Sequence, residues 1–178
     1  MSQSNINKAY ENPGLRFLET ALYQMPMAYA LITGNPGNGE IDGIVRFYPI
    51  DNGVLVNAEI YGLPVSDLPC KTDIFGFHIH EGNACTGTNS DPYANVGNHY
   101  NPSHCPHPAH MGDLPPLFGN SGSAWTMYFT DRFTIEDLIG RTVIIHSGPD
   151  DFTTQPSGNS GTKIACGAIQ APSSLSPV

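Results

Sequence analysis

The sequence predicts an all-β protein, an antiparallel sandwich or flattened barrel, and three observations predict it. Short apolar alternations recur along the chain with the two-residue period of a strand. Gly and Pro are abundant, 19 and 16 of 178 residues, which favours many short strands and turns over long helices. Turn signals separate the alternations at short intervals, the spacing of a sandwich or barrel. The length suits one domain with a real core. Hydrophobic residues make up 39%, and their recurrence in runs argues against disorder.

Taken in order, residues 1–24 stand apart as an arm or a short helix over "NPGLRFLETAL". The β domain is expected over 25–171. "MAYALIT" (27–33) precedes the turn "GNPGNG". "IDGIVRFY" (41–48) runs to "PIDNG", whose Asp-Asn-Gly is a good turn signal. "VLVNAEI" (54–60) puts Val54, Val56, Ala58 and Ile60 on one face and Asn57 and Glu59 on the other. "IFGFHIH" (74–80) puts Phe75, Phe77 and Ile79 on one face, with His78 and His80 opposite. "AWTMYFT" (124–130) groups Trp125, Met127 and Phe129. "RTVIIH" (141–146) and "TKIACGAI" (162–169) complete the set. Residues 172–178 read as a frayed tail.

Charge and hydropathy exclude some partners. The formal net charge of −9 makes nucleic acid and an anionic membrane surface poor expectations. No apolar stretch approaches the roughly 20 residues of a membrane helix. The N-terminus has no basic region followed by an apolar core. The expectation is a cytoplasmic protein, or one whose leader has been removed. Four cysteines, Cys70, Cys85, Cys105 and Cys166, permit two disulfides or buried thiols.

The stretch from Glu81 to Gly122 has little periodicity and exceeds an ordinary connection. Loops longer than about 12–15 residues are usually functional or disordered. The histidines gather here. Six of seven (His78, His80, His99, His104, His107 and His110) fall within 78–110, and His146 ends a later strand. Asp113 follows His110 by three residues, and no Lys or Arg occurs between Phe75 and Asp131. Imidazoles gathered with a carboxylate and without cations point to a bound metal. Imidazole suits zinc, copper, iron and nickel.

At these residues the chain resembles the copper/zinc superoxide dismutases, from about Met27 to Gln170. "GFHIHEG", "GNHYNP", "HMGDLP", "GRTVIIH" and "ACGAI" stand in the order of that family's motifs. The resemblance implies a Greek-key β-sandwich or flattened barrel of about eight strands, with long metal-binding and electrostatic loops. It implies copper and zinc as cofactors. His78, His80 and His146 would bind copper, His99 would bridge the two metals, and His110 and Asp113 would bind zinc. His107, eight residues after His99, is preferred over His104 as the remaining zinc ligand. Asp150 would link ligands of the two metals. Cys85 and Cys166 would form a disulfide. Cys70 and Cys105 would either pair with each other or stay free.

The substrate implied is superoxide, a small anion, and a homodimer is compatible with the resemblance. Two departures stand out. The segment from His99 to Asp113 is short, while "TGTNSDPYANVGN" enlarges the gap before His99. Lys163 stands where the family usually carries an Arg that guides the anion, and Lys lacks the planar fork of donors. His99 and Lys163 are therefore the expected catalytic residues. A metal-binding domain with little turnover is the competing expectation. A zinc hydrolase built on His107, His110, Asp113 and Glu81 leaves His78, His80 and His146 without a role.

Overall fold

The computed structural model describes residues 13–71 and 73–172. Residues 1–12 of the expected N-terminal arm and 173–178 of the expected tail lie outside the described residues. The described chain starts with helix α1 (Pro13–Tyr23), over the stretch read as helix or arm. Nine strands follow: β1 (Ala28–Gly34), β2 (Asp42–Ile50), β3 (Gly53–Tyr61), β4 (Ile74–Phe75), β5 (Phe77–His80), β6 (Leu117–Phe118), β7 (Ala124–Thr130), β8 (Thr142–His146) and β9 (Lys163–Gln170). A short helix α2 (Ile135–Leu138) separates β7 from β8.

Seven strands form one antiparallel sheet in the order β5-β8-β9-β1-β2-β3-β7, and β4 pairs with β6 in a small second sheet. The chain leaves β3 for the far edge at β5, returns to β7 beside β3, then crosses again to β8. These crossings are of the Greek-key kind. The turn between β2 and β3 is tight, with Ile50 paired to Gly53. Asp51 and Asn52 both take positive φ there, as a two-residue hairpin requires.

The inner face of the curled sheet carries the core. Val45, Phe47, Val56, Ala58, Ile60, Phe77, Ile79, Val143 and Ile145 are fully buried in it. Burying each large aliphatic or aromatic side chain contributes about 1.5–3 kcal/mol. The alternation in β3 is partly obscured, because Leu55 and Asn57 on its outer face are also buried. Leu55 pairs with Phe129, and Phe17 of α1 stacks on Phe129 with ring centroids 5.6 Å apart. Asn57 accepts a hydrogen bond from Arg46. The apolar set of β7 is the outer one: Trp125 is 65% exposed, while Ala124 is buried and Tyr128 packs against the core.

The number of strands exceeds eight for two physical reasons. The stretch 74–80 breaks at Gly76, whose N–H donates to Gly148 and whose carbonyl accepts from His146 N–H. A Cβ at Gly76 would lie 2.7 Å from Ser160 Cβ, so the close approach needs glycine. β6 sits within the aperiodic stretch and is only two residues long. Helix α2 carries a signal that the strand reading passed over: Thr134 and Asp137 form a reciprocal capping box.

Candidate metal centre

The strand β5 places His78 and His80, and the long loop covers the face from which they project. All four residues of β5 are buried, the histidines included. One edge of β5 pairs with β8, ending in His146. Its other edge is taken by the loop. Tyr100 N–H donates to the Ile79 carbonyl, Ile79 N–H to Gly112, and Glu81 N–H to Asn98. Isolated bridges then set His80 opposite His99 and His78 opposite Asp113. Backbone pairing thus brings residues distant in sequence beside β5.

Gly112 makes this possible. A Cβ there would stand 2.2 Å from the Ile79 carbonyl oxygen and 2.9 Å from Tyr100 N. Gly112→Ala is expected to push the loop off β5 and weaken metal binding about 10–100-fold, the range seen when support of metal ligands is lost. Competitive titration against a chelator measures it. Wild-type affinity in Gly112→Ala would contradict the pairing argument.

Two groups of candidate ligands result, and they share one residue. His78, His80, His99 and His146 each offer a ligand atom, all within 4.8 Å of one another. His99, His107, His110 and Asp113 do the same. All seven are buried. His104 is exposed and belongs to neither group.

The hydrogen-bond partners explain why ring nitrogens are left over. His80 Nδ1 lies 2.9 Å from the Gly97 carbonyl and His146 Nδ1 3.3 Å from the Gly161 carbonyl. A carbonyl only accepts, so each Nδ1 carries the proton and each Nε2 keeps its lone pair. His78 Nε2 donates to Asp150 Oδ2 at 2.7 Å, leaving Nδ1. His99 Nδ1 lies 2.7 Å from Asp113 Oδ1, leaving Nε2. The four remaining nitrogens, His78 Nδ1 and Nε2 of His80, His99 and His146, are buried without a partner. Unpaired buried polar atoms are costly, and four within one group need an occupant.

The second group follows the same logic. His107 Nε2 donates to Asp150 Oδ1 at 2.9 Å. His107 Nδ1 and His110 Nδ1 stand 3.1 and 3.3 Å from Asp113 Oδ2. Neither contact has hydrogen-bond geometry, so both atoms remain without a hydrogen-bond partner. Asp150 therefore touches one residue of each group. Gly158 lies against this link with φ +70°, and a Cβ there would come within 2.0 Å of Asp150 Oδ1.

Electrostatics favour neutral imidazoles at His78, His80 and His146. Burial, then the neighbouring His99 and His146 rings, pushes the His78 pKa down to about 2. Burial holds His80 well below its ordinary value and lowers His146 to about 4. Neutral histidine is the form that binds metal. For Asp113, burial pushes the pKa up. The His99 hydrogen bond and the charges of His99, His107 and His110 outweigh it, leaving a value of about 2. The donor sets are four imidazoles in one group and three imidazoles with a carboxylate in the other, which fit copper and zinc.

Some supporting residues were not legible in the sequence. Arg132 donates to the backbone carbonyls of Asp113, Pro108 and His110, fastening the short segment that carries two of the candidate ligands. Gln155 accepts from His107 N–H and donates to the His107 carbonyl. Both reach across loops by side-chain bonds that leave no periodic trace in the sequence.

Cys85 and Cys166 form a disulfide across 81 residues. Cys70 and Cys105 are free thiols, so the pairing that sequence left open between them does not occur. Cys105 is held instead by Asn101, which accepts from its N–H and donates to its carbonyl. Lys163 lines a cleft with His80, His99 and His146, and His104 and Glu81 lie on its walls. Its ammonium is not free: Nζ donates to Asp91 Oδ2 at 2.8 Å.

Comparisons with known proteins agree with this geometry. A model of the copper/zinc superoxide dismutase family (SODC) matches residues 41–169. The chain is 33% identical over 151 residues to a Cu-Zn superoxide dismutase of Deinococcus radiodurans, covering 75% of this chain and 79% of that protein. It is 30% identical over 149 residues to Cu-Zn superoxide dismutase A of Xenopus laevis, covering 75% and 91%. With the Cu-Zn superoxide dismutase of Schizosaccharomyces pombe it shares 32% over 149 residues, covering 75% and 92%. With nine antiparallel strands among the described residues, two groups of candidate metal ligands that both include His99 and this match over most of its length, the chain belongs to the copper/zinc superoxide dismutase family of oxidoreductases.

Proposed function

We propose that the protein converts superoxide to oxygen and hydrogen peroxide at a copper held by His78, His80, His99 and His146. A zinc held by His99, His107, His110 and Asp113 stands beside it. One observation carries the reading. His99 belongs to both groups, and its Nε2 is buried and unpaired beside three other unpaired imidazole nitrogens. Copper supplies, when bound, the one-electron couple that oxidises one superoxide and reduces the next, while zinc is redox-inert and structural.

The chain's own residues then have distinct tasks. Gly97, Gly161 and Asp150 fix the tautomers that aim His80, His146 and His78. Asp150 links the two groups through His78 and His107. His99 Nε2 takes a proton and returns it to the reduced product. Lys163, opposite His146 in the β8–β9 ladder, attracts the anion into the cleft. The balance is closed: two superoxide anions and two protons give one oxygen and one hydrogen peroxide.

The test is elemental analysis of the protein loaded with both metals, followed by superoxide consumption. One copper and one zinc per chain with rapid consumption is the expected result. Zinc alone after copper loading would overturn the assignment. The Asp91–Lys163 contact favours a second reading, in which the metals bind and turnover is low. Full metal content with negligible consumption would select it. Lys163→Glu is expected to cut consumption about tenfold or more and leave copper content unchanged, since steering acts on association. Retained activity across a range of ionic strengths would refute steering by Lys163.

A further inference from the structure

The enlarged segment before His99 is folded, and it delivers a carboxylate to the cleft. Tyr93 and Val96 are buried with Ile144 and Cys166 in a small cluster beside the disulfide. The Tyr93 hydroxyl donates to the Thr33 carbonyl on β1. Asp91 is held between these anchors and the loop. Its N–H donates to Thr88 Oγ1, and its Oδ1 accepts from Tyr93 N–H. Its other oxygen, Oδ2, is thereby aimed at Lys163 Nζ, 2.8 Å away. The Lys163 hydrogen bond holds the Asp91 carboxyl below the usual carboxylate range, so Asp91 is ionised at neutral pH.

The charge balance of the cleft depends on this contact. Among the described residues lining it, Lys163 is the only lysine or arginine, and Asp91 and Glu81 are the carboxylates. Lys163 is mostly covered, with 20% of its side chain exposed, while Asp91 is 44% exposed. An anion approaching the histidines therefore meets an ammonium whose attraction is partly offset by Asp91 rather than a free cation. It must displace Asp91 to bind the ammonium.

We propose that Asp91 is a positioning residue that competes with incoming small anions for Lys163 and sets the anion affinity of the cleft. This rests on the copper site proposed above for its place in the reaction, and the contact itself does not depend on metal. Asn at position 91 keeps an oxygen for Tyr93 N–H and replaces the charged partner of Lys163 by an amide. The loop keeps its anchors while the ammonium is released.

The test uses azide as the anion probe, titrated optically into the copper- and zinc-loaded full chain. Asp91→Asn is expected to bind azide about threefold more tightly at low salt, the scale of one unit charge several ångströms away in a largely aqueous dielectric. The gain should fade at about 1 M salt, where screening is complete over a few ångströms. In a Lys163→Met background only the through-space repulsion of Asp91 is left to remove, so Asp91→Asn should give a smaller gain. Unchanged azide affinity, or the same gain without Lys163, would overturn the proposal.

A metal-free measurement separates this from the function itself. Trace acylation of Lys163 by acetic anhydride, read by peptide mass spectrometry, should rise in Asp91→Asn. An unchanged Lys163 acylation rate overturns the clamp whether or not copper binds. Raised acylation in a protein that retains no copper upholds the clamp and defeats the dismutase reading.

Discussion

His99→Ala is expected to lose copper and zinc affinity together, and superoxide consumption with them. Its ring stands in both groups of candidate ligands, so on the proposed reading one substitution removes a donor from each. Loss of a residue that only orients a ligand costs roughly 10–100-fold in metal affinity, and loss of a shared donor should exceed that at both groups. The variant also leaves Asp113 Oδ1 without its 2.7 Å partner. Competition against chelators of graded strength measures each metal separately. His104→Ala is the matched control, because His104 is exposed and in neither group. If His99→Ala lost one metal and kept the other at wild-type affinity, the shared role would be wrong.

The second large effect concerns stability. Cys85→Ser with Cys166→Ser is expected to lower the unfolding free energy by about 4.5 kcal/mol, from the entropy of closing so long a loop. The bond closes 81 residues. It joins the segment carrying Asp91 to β9 at a buried point, where Cys166 is 2% exposed. Denaturant unfolding of the variant beside the oxidised protein measures the loss. The free thiols Cys70 and Cys105 are unchanged in both, so the difference reports this bond alone. A loss below about 1 kcal/mol would mean that Tyr93 and Val96 anchor the loop without it.

Two-residue periodicity made the strands legible, and β1, β2, β3, β7, β8 and β9 stand where the alternations put them. It was less able to say which face is the inner one. Trp125 and Phe129 share a face in β7, yet that face is the outer one. Alternation reports that two faces differ, whereas burial depends on what is packed against each. In β3 the outer face is partly covered, Leu55 beside the Phe17–Phe129 stack and Asn57 by Arg46, so its contrast is weakened. The break at Gly76 was invisible for a related reason. It arises from Ser160 and Gly148, which approach from a loop more than seventy residues away.

The histidines show the same division. Their clustering within 78–110, with Asp113 nearby and no Lys or Arg between Phe75 and Asp131, is a property of the chain itself. Residue type and local density suffice to infer metal chemistry, because coordination demands those donors and few competing cations. Which histidines meet is a different matter. His107 lies in the second group and His104 outside it because Arg132 and Gln155 hold the segment between them in one path. No local pattern encodes that path.

By itself, then, the sequence determined the β architecture, the histidine-rich loop and the disulfide pair expected from the resemblance. These follow from short-range periodicity, composition and motif order. Only the tertiary structure decided which ring nitrogens are left unpaired, how β5 is flanked on both edges, and that Lys163 is answered by Asp91. Each of these depends on contacts between residues far apart in the chain. Hydrogen bonds are made by distance and direction, and a linear sequence holds neither.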